Sequence, residues 1–163
     1  FLPTGDGGSR TALAEYDREP SGDRRLRAGE GRDRVRLQAS AGPTVKFLGR
    51  VSREELADLM AHCRALIFPG LEDFGISPVQ AMASGRPVIA FASGGALDYI
   101  REGETGCFFR KQSVQDLART VQQFDSQQFD SRTIRQFALR FDRSIFEQKL
   151  RRFIDLSTSK GQV

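Results

Sequence analysis

Leu71-Glu72-Asp73-Phe74-Gly75-Ile76-Ser77-Pro78-Val79-Gln80-Ala81-Met82-Ala83-Ser84-Gly85-Arg86-Pro87 is the stretch on which the reading of this chain turns. It follows the apolar run Ala65-Leu66-Ile67-Phe68 and the break Pro69-Gly70, so it reads as strand, tight turn, helix. Ser77 is placed to cap the helix, with Pro78 at its first position and Gly85 just past its end. In an open α/β sheet, ligands bind outside the carboxyl ends of strands and against helix amino termini. An acid, Glu72, stands at that point.

Outward from this stretch the chain alternates. A strand at 25–28 leads through Gly29-Glu30-Gly31 to a charged helix at 32–39, and a strand at 44–48 leads to Gly49. Ser52 with Glu55 three residues on predicts a capping box, opening a helix with Leu56, Leu59, Met60 and Cys63 on one stripe. Beyond Pro87 come a strand to Phe91, the turn Ser93-Gly94-Gly95, a helix to about Arg101, and a strand at 106–109. A helix capped by Ser113 follows. A final amphipathic helix or pair, 131–156, is expected to bury Phe137, Phe141, Phe146, Leu150 and Phe153. Short connections between alternating elements imply parallel strands with right-handed crossovers. The expected fold is α/β, a doubly wound Rossmann-like parallel sheet whose loops 29–31, 49–52, 70–77 and 92–95 share one edge. The expected divisions are a poorly ordered leader (1–24, with one helical turn near 12–16), a Rossmann-like domain (25–130), basic C-terminal helices packing on it (131–156) and a tail (157–163).

Composition excludes several classes. The 163 residues suffice for one cored domain, and 39% apolar with 28% charged residues fits a globular protein. No apolar run approaches the roughly 20 residues of a membrane span, and Phe1-Leu2-Pro3-Thr4-Gly5-Asp6 lacks a signal-peptide pattern. Cys63 and Cys107 share no metal or redox spacing, which suits reduced thiols in the cytoplasm. The net charge of +4 is concentrated in Arg132, Arg135, Arg140, Arg143, Lys149, Arg151 and Arg152, against Asp142 and Glu147 over the same span. That run reads either as a solvated helix face or as a contact for an anionic membrane surface. Aromatic residues are not interleaved with it as nucleic-acid stacking requires. His62 has no second ligand nearby in sequence, and no metal or cofactor is expected.

The Glu72 stretch resembles the family 4 retaining glycosyltransferases of the GT-B fold. Their donor-binding half carries Glu, seven residues, Glu around Phe-Gly-Ile/Leu and Pro-x-Glu-Ala; here the pattern is Glu72, seven residues, Gln80. The resemblance implies that Glu72, as the catalytic-site acid, and the amides of Phe74, Gly75 and Ile76 hold the donor sugar. It implies that Gln80 meets the ribose, that Val51 packs the base, and that Gly94 and Gly95, followed by Asp98, receive a phosphate. No metal enters this mechanism; the leaving diphosphate helps take the acceptor's proton.

The residues suit that chemistry. A carboxylate after a strand accepts charge-assisted bonds from adjacent sugar hydroxyls, roughly twice as strong as neutral ones. At Gln80 the amide keeps an acceptor and loses the charge, a weakening of about tenfold. The plainer readings are a surface acid near a helix start, a surface amide and a simple glycine turn. The family's Arg and Lys clamp on the diphosphate has no counterpart in residues 1–24, which contain no Lys, and an acceptor domain is absent. The chain thus resembles a truncated donor half, awaiting an N-terminal acceptor domain or partner chain. The expected function is hexosyl or mannosyl transfer from a nucleotide-diphosphate sugar, in cell-envelope polysaccharide or glycolipid synthesis, inactive in isolation. The alternative is a non-catalytic nucleotide-sugar-binding module or a membrane-surface interaction domain.

Overall fold

The computed structural model describes residues 13–16, 24–30 and 33–159. In chain order the elements are β1 (Leu13–Tyr16), β2 (Arg24–Ala28), α1 (Arg34–Ser40), β3 (Val45–Gly49), α2 (Arg53–His62), β4 (Cys63–Phe68) and α3 (Ile76–Ala83). There follow β5 (Val88–Phe91), α4 (Ala96–Tyr99), β6 (Gly106–Phe109), α5 (Val114–Gln123), a 3-10 turn (Ser126–Gln128), α6 (Ser131–Ala138), a second 3-10 turn (Leu139–Phe141) and α7 (Arg143–Ser159).

Period-two alternation in the central strands builds two cores. Along β4, Leu66 and Phe68 join Val88 and Ala90 of β5 on one face, against Ala81 and Met82 of α3, Tyr99 of α4 and Ile134 of α6. Ala65 and Ile67 join Ile89 and Phe109 on the other, against Leu117 and Val121 of α5 and Phe124. Helices therefore cover both faces, as a sheet of short crossovers requires. Full burial of a side chain such as Ile89 or Val88 contributes about 1.5–3 kcal/mol.

The sheet order is β3-β2-β1-β4-β5-β6, the doubly wound order with its switch beside the first strand. β2 and β3 pair in parallel, as do β4 with β5 and β5 with β6. The departure is β1, which pairs antiparallel with both β2 and β4. Two expectations change here. Residues 13–16, read as leader with a helical turn, form a strand at the middle of the sheet, and the sheet is not wholly parallel. The reason is that strand pairing depends on backbone groups. The facing edges of β2 and β4 offer unmet N–H and C=O groups that a four-residue segment satisfies although Glu15 breaks its short apolar run. The rest of the 1–24 leader lies outside the described residues, apart from Arg24 in β2.

The capping box at α2 forms as expected: Glu55 N–H donates to Ser52 Oγ at 3.1 Å and Ser52 N–H to Glu55 Oε2 at 2.7 Å. Such a cap is worth about 1 kcal/mol. Cys63, expected on that helix, opens β4 instead. At the C-terminus α6 packs on α3, whereas Phe146, Leu150 and Phe153 are 62%, 44% and 68% exposed. The expected burial holds for the face of Phe137 and Phe141 and fails for α7. Helical spacing put these residues on one side; no other described segment reaches that side. Residues 157–159 of the expected tail continue α7.

Candidate functional site

The segment 69–75 joins β4 to α3 at the carboxyl edge of the sheet. It turns on Gly75, whose φ of +85° is a conformation that side chains rarely adopt. Space demands glycine as well, since a Cβ there would lie 2.8 Å from the Tyr99 hydroxyl and 3.2 Å from the Phe68 ring. Gly75 is thus the N-cap and α3 begins at Ile76, without a side-chain cap. This corrects the role expected of Ser77, which sits inside the first turn. Pro78 falls two positions further in than expected, still within the first turn, where its missing N–H costs no helical bond. Gln80 moves to the second turn.

The loop 93–95 locks onto the same turn. Gly95 N–H donates to the Glu72 carbonyl at 2.8 Å. A Cβ on Gly95 would stand 2.1 Å from the Asp73 carbonyl oxygen, so the two backbones touch. Glu72, Phe74, Gly75, Gly94 and Gly95 are thereby one assembly, with the Glu72 side chain half-buried. Two consequences qualify the phosphate expectation. The Gly95 amide is committed to Glu72, while Gly94 N–H has no acceptor among the described residues. The following helix, expected to run to Arg101, is the single turn of α4, because Ile100 turns extended; so short a helix adds little dipole.

Beneath the assembly lies a residue the sequence reading passed over. Tyr99 is fully buried, its ring meets Phe74 edge-on at 5.8 Å, and its hydroxyl has no hydrogen-bond partner. Burial, and then the charges of Glu72 and Asp98, push its hydroxyl well above the ordinary tyrosine range. The only sequence signal was its place four residues beyond Gly95, one helical turn along.

Ile76 and Gln80 face away from this lock and line a groove of about 380 Å³ with Phe74, Val79, Leu139 and Phe141. The exposed Phe74 ring is shared between the two clusters and also meets Phe141 edge-on at 5.7 Å. Val51 stands apart. It follows β3, three strand spacings from β4, or about 14 Å across the same edge. Beside β3, Gly29 N–H donates to the Gly49 carbonyl at 2.7 Å, and Arg34 pairs with Glu30 at 3.0 Å. Gly31 lies outside the described residues. The His62 ring bonds the Asp58 carbonyl one turn earlier in α2 at 2.8 Å. Among the described residues no three His, Cys, Asp or Glu side chains stand close enough to hold a metal.

The glycosyl transferases group 1 family model matches residues 27–139. Among curated proteins, the alpha-1,3/1,6-mannosyltransferase of Dictyostelium discoideum is 39% identical over 75 residues, 45% of this chain and 18% of that protein. The GDP-mannose-dependent alpha-mannosyltransferase of Mycobacterium tuberculosis is 43% identical over 79 residues, 48% of this chain and 21% of its own length. Among solved structures, Anabaena HepE in complex with UDP-glucose superposes with a TM-score of 0.65 at 25% identity, covering 80% of this chain and 40% of that one. The domain is α/β, a doubly wound sheet resembling the donor-binding Rossmann half of a GT-B glycosyltransferase. The chain spans about a fifth of the length of these curated relatives. The family 4 assignment drawn from the short Glu72–Gln80 pattern is overturned by the match over 27–139. The chain belongs to the glycosyl transferases group 1 family.

Proposed function

We propose that this chain is the part of a retaining glycosyltransferase that binds a nucleotide-diphosphate sugar, with the sugar seated on Glu72 and the amides of the 74–76 turn. One observation carries the reading: Glu72 heads a turn held rigid from behind by Gly95 at the carboxyl end of β4, beside the sheet's switch point. A carboxylate carried on a fixed backbone can accept from two neighbouring sugar hydroxyls with less of the chain left to order, which lowers the cost of binding. The free Gly94 N–H is a donor for a diphosphate oxygen. Gln80, half-buried in the adjoining groove, takes the ribose hydroxyls through its amide, and Val51 packs the base at the far end of the edge. The mannosyl-transferring relatives favour a hexosyl donor of that kind, and HepE with UDP-glucose supports binding of a nucleotide sugar by this fold.

The test is calorimetric titration with GDP-mannose, UDP-glucose and the bare nucleotides. Glu72→Gln is expected to weaken binding of the sugar nucleotide by about tenfold and leave the bare nucleotide nearly unchanged, since only a charged bond to the sugar is lost. Equal losses for both would place Glu72 away from the sugar.

A further inference from the structure

The buried hydroxyl of Tyr99 has an unusual position. The side chain is 0% exposed, and its oxygen meets neither a donor nor an acceptor among the described residues. Hydroxyls buried in this way are normally paired, so an unpaired one marks a place where something is missing or where strain is kept. The ring itself is well held, edge-on to Phe74 at 5.8 Å and to Phe141 at 6.5 Å, and it belongs to the main core cluster. Phenylalanine would fill the same space with no orphaned atom. What tyrosine adds is one O–H directed at the underside of the turn, so close to Gly75 that a methyl group there would sit 2.8 Å from it.

We propose that Tyr99 is a positioning residue for the donor site: its hydroxyl, unpartnered without ligand, donates to the Glu72 carboxylate when that side chain engages a sugar. This rests on the donor-site reading above. Two further features support it. Glu72 is the acid whose charge is felt most at the phenol, with Asp98 second. The backbone of the turn is also held in place, by the Gly95 amide on the Glu72 carbonyl at 2.8 Å. A neutral donor on one carboxylate oxygen leaves the other lone pairs to the sugar hydroxyls and fixes the carboxylate plane. The stored cost of an unmet hydroxyl is released only in the bound state, so the residue favours sugar over empty site and does nothing for the nucleotide.

The experiment compares Tyr99→Phe with the wild-type chain in thermal unfolding and in titrations with a sugar nucleotide and its bare nucleotide. Without ligand the variant should be as stable as wild type or more so, because an orphan hydroxyl is removed. Its affinity for the sugar nucleotide should fall by about three- to tenfold while the bare nucleotide changes by less than roughly twofold. In a double-mutant cycle with Glu72→Gln the two losses should be non-additive, since one acts through the other. A ligand-free variant that melts earlier than wild type would show that the hydroxyl already has a partner and overturn the inference. Unchanged sugar-nucleotide affinity in the variant, with wild type binding normally, would overturn it alone. No binding by wild type would overturn the donor-site reading and take this inference with it.

Discussion

Two adjacent glycines carry the site for different reasons. Gly94 has φ of +61°, whereas Gly95 has φ of −61°, which any residue adopts. What forbids a side chain at 95 is contact alone: the added Cβ would fall 2.1 Å from Asp73 O and 2.8 Å from the Phe74 Cα, both backbone atoms that cannot swing aside. Gly95→Ala is therefore expected to destabilise the fold by about 1–3 kcal/mol through forced displacement of the 72–74 backbone, and to weaken sugar-nucleotide binding with it. Denaturant unfolding reads the first effect and titration the second. Gly42→Ala is the control. Nothing lies within 4 Å of a Cβ there and its φ is not positive, so stability should hold or rise slightly.

At the scale of elements, β4 joins stability to the site it presents. Its first residue, Cys63, is fully buried, and burial raises its thiol from 9.0 to about 11 despite the opposing charge of Arg86. Cys107 on β6 is raised to about 11 by burial and by Glu102. The folded chain keeps both protons in a range where the unfolded chain releases them. Their contribution is therefore complete below about pH 9 and is lost as pH rises from 9 through 11. Unfolding midpoints measured from pH 8 to 11 should fall over that window, and Cys63→Ala should make the fall shallower while Cys107 retains its part. A flat profile in the wild-type chain would contradict the buried, neutral thiols. α7 shows the opposite relation between element and core. Past Ile145 its apolar residues Phe146, Leu150, Phe153, Ile154 and Leu156 are all exposed, and it packs against the 3-10 turn Leu139–Phe141.

For the whole molecule the expectation is binding without transfer. HepE is covered to 40% by this chain, and glycosyl transfer requires an acceptor held against the donor with water kept out. Positioning of that kind can supply ~7–11 kcal/mol of the barrier, and a single open sheet edge does not supply it. The 163-residue chain, incubated with a radiolabelled sugar nucleotide and a membrane extract, should yield slow donor hydrolysis at most and no labelled glycolipid. Product formed at ordinary enzyme rates would show that these 163 residues suffice.

What the sequence determined by itself was everything that depends on neighbours in the chain. The alternation through Ala65 to Phe68 set the two core faces, Ser52 and Glu55 set the α2 cap, and Gly-rich breaks placed the loops on one edge. Chain-local signals also singled out Glu72 and Gly75. Where contact over distance decided, local signals were silent or misleading. Ser77 looked like a cap, but Tyr99 and Phe68, packed against Gly75, fix the turn one residue before Ile76 and start the helix there. β1 was invisible because its four residues, broken by Glu15, are too few to show a period, and backbone pairing to β2 and β4 recruited them. Phe146, Leu150 and Phe153 had the spacing of a buried stripe, yet burial needs a surface to face, and spacing cannot say whether one is there. Gly95 read as a phosphate turn until the fold brought Glu72 against its amide. Each of these belongs to tertiary structure for the same physical reason: packing and hydrogen-bond partners are chosen in space, among residues that the order of the chain keeps far apart.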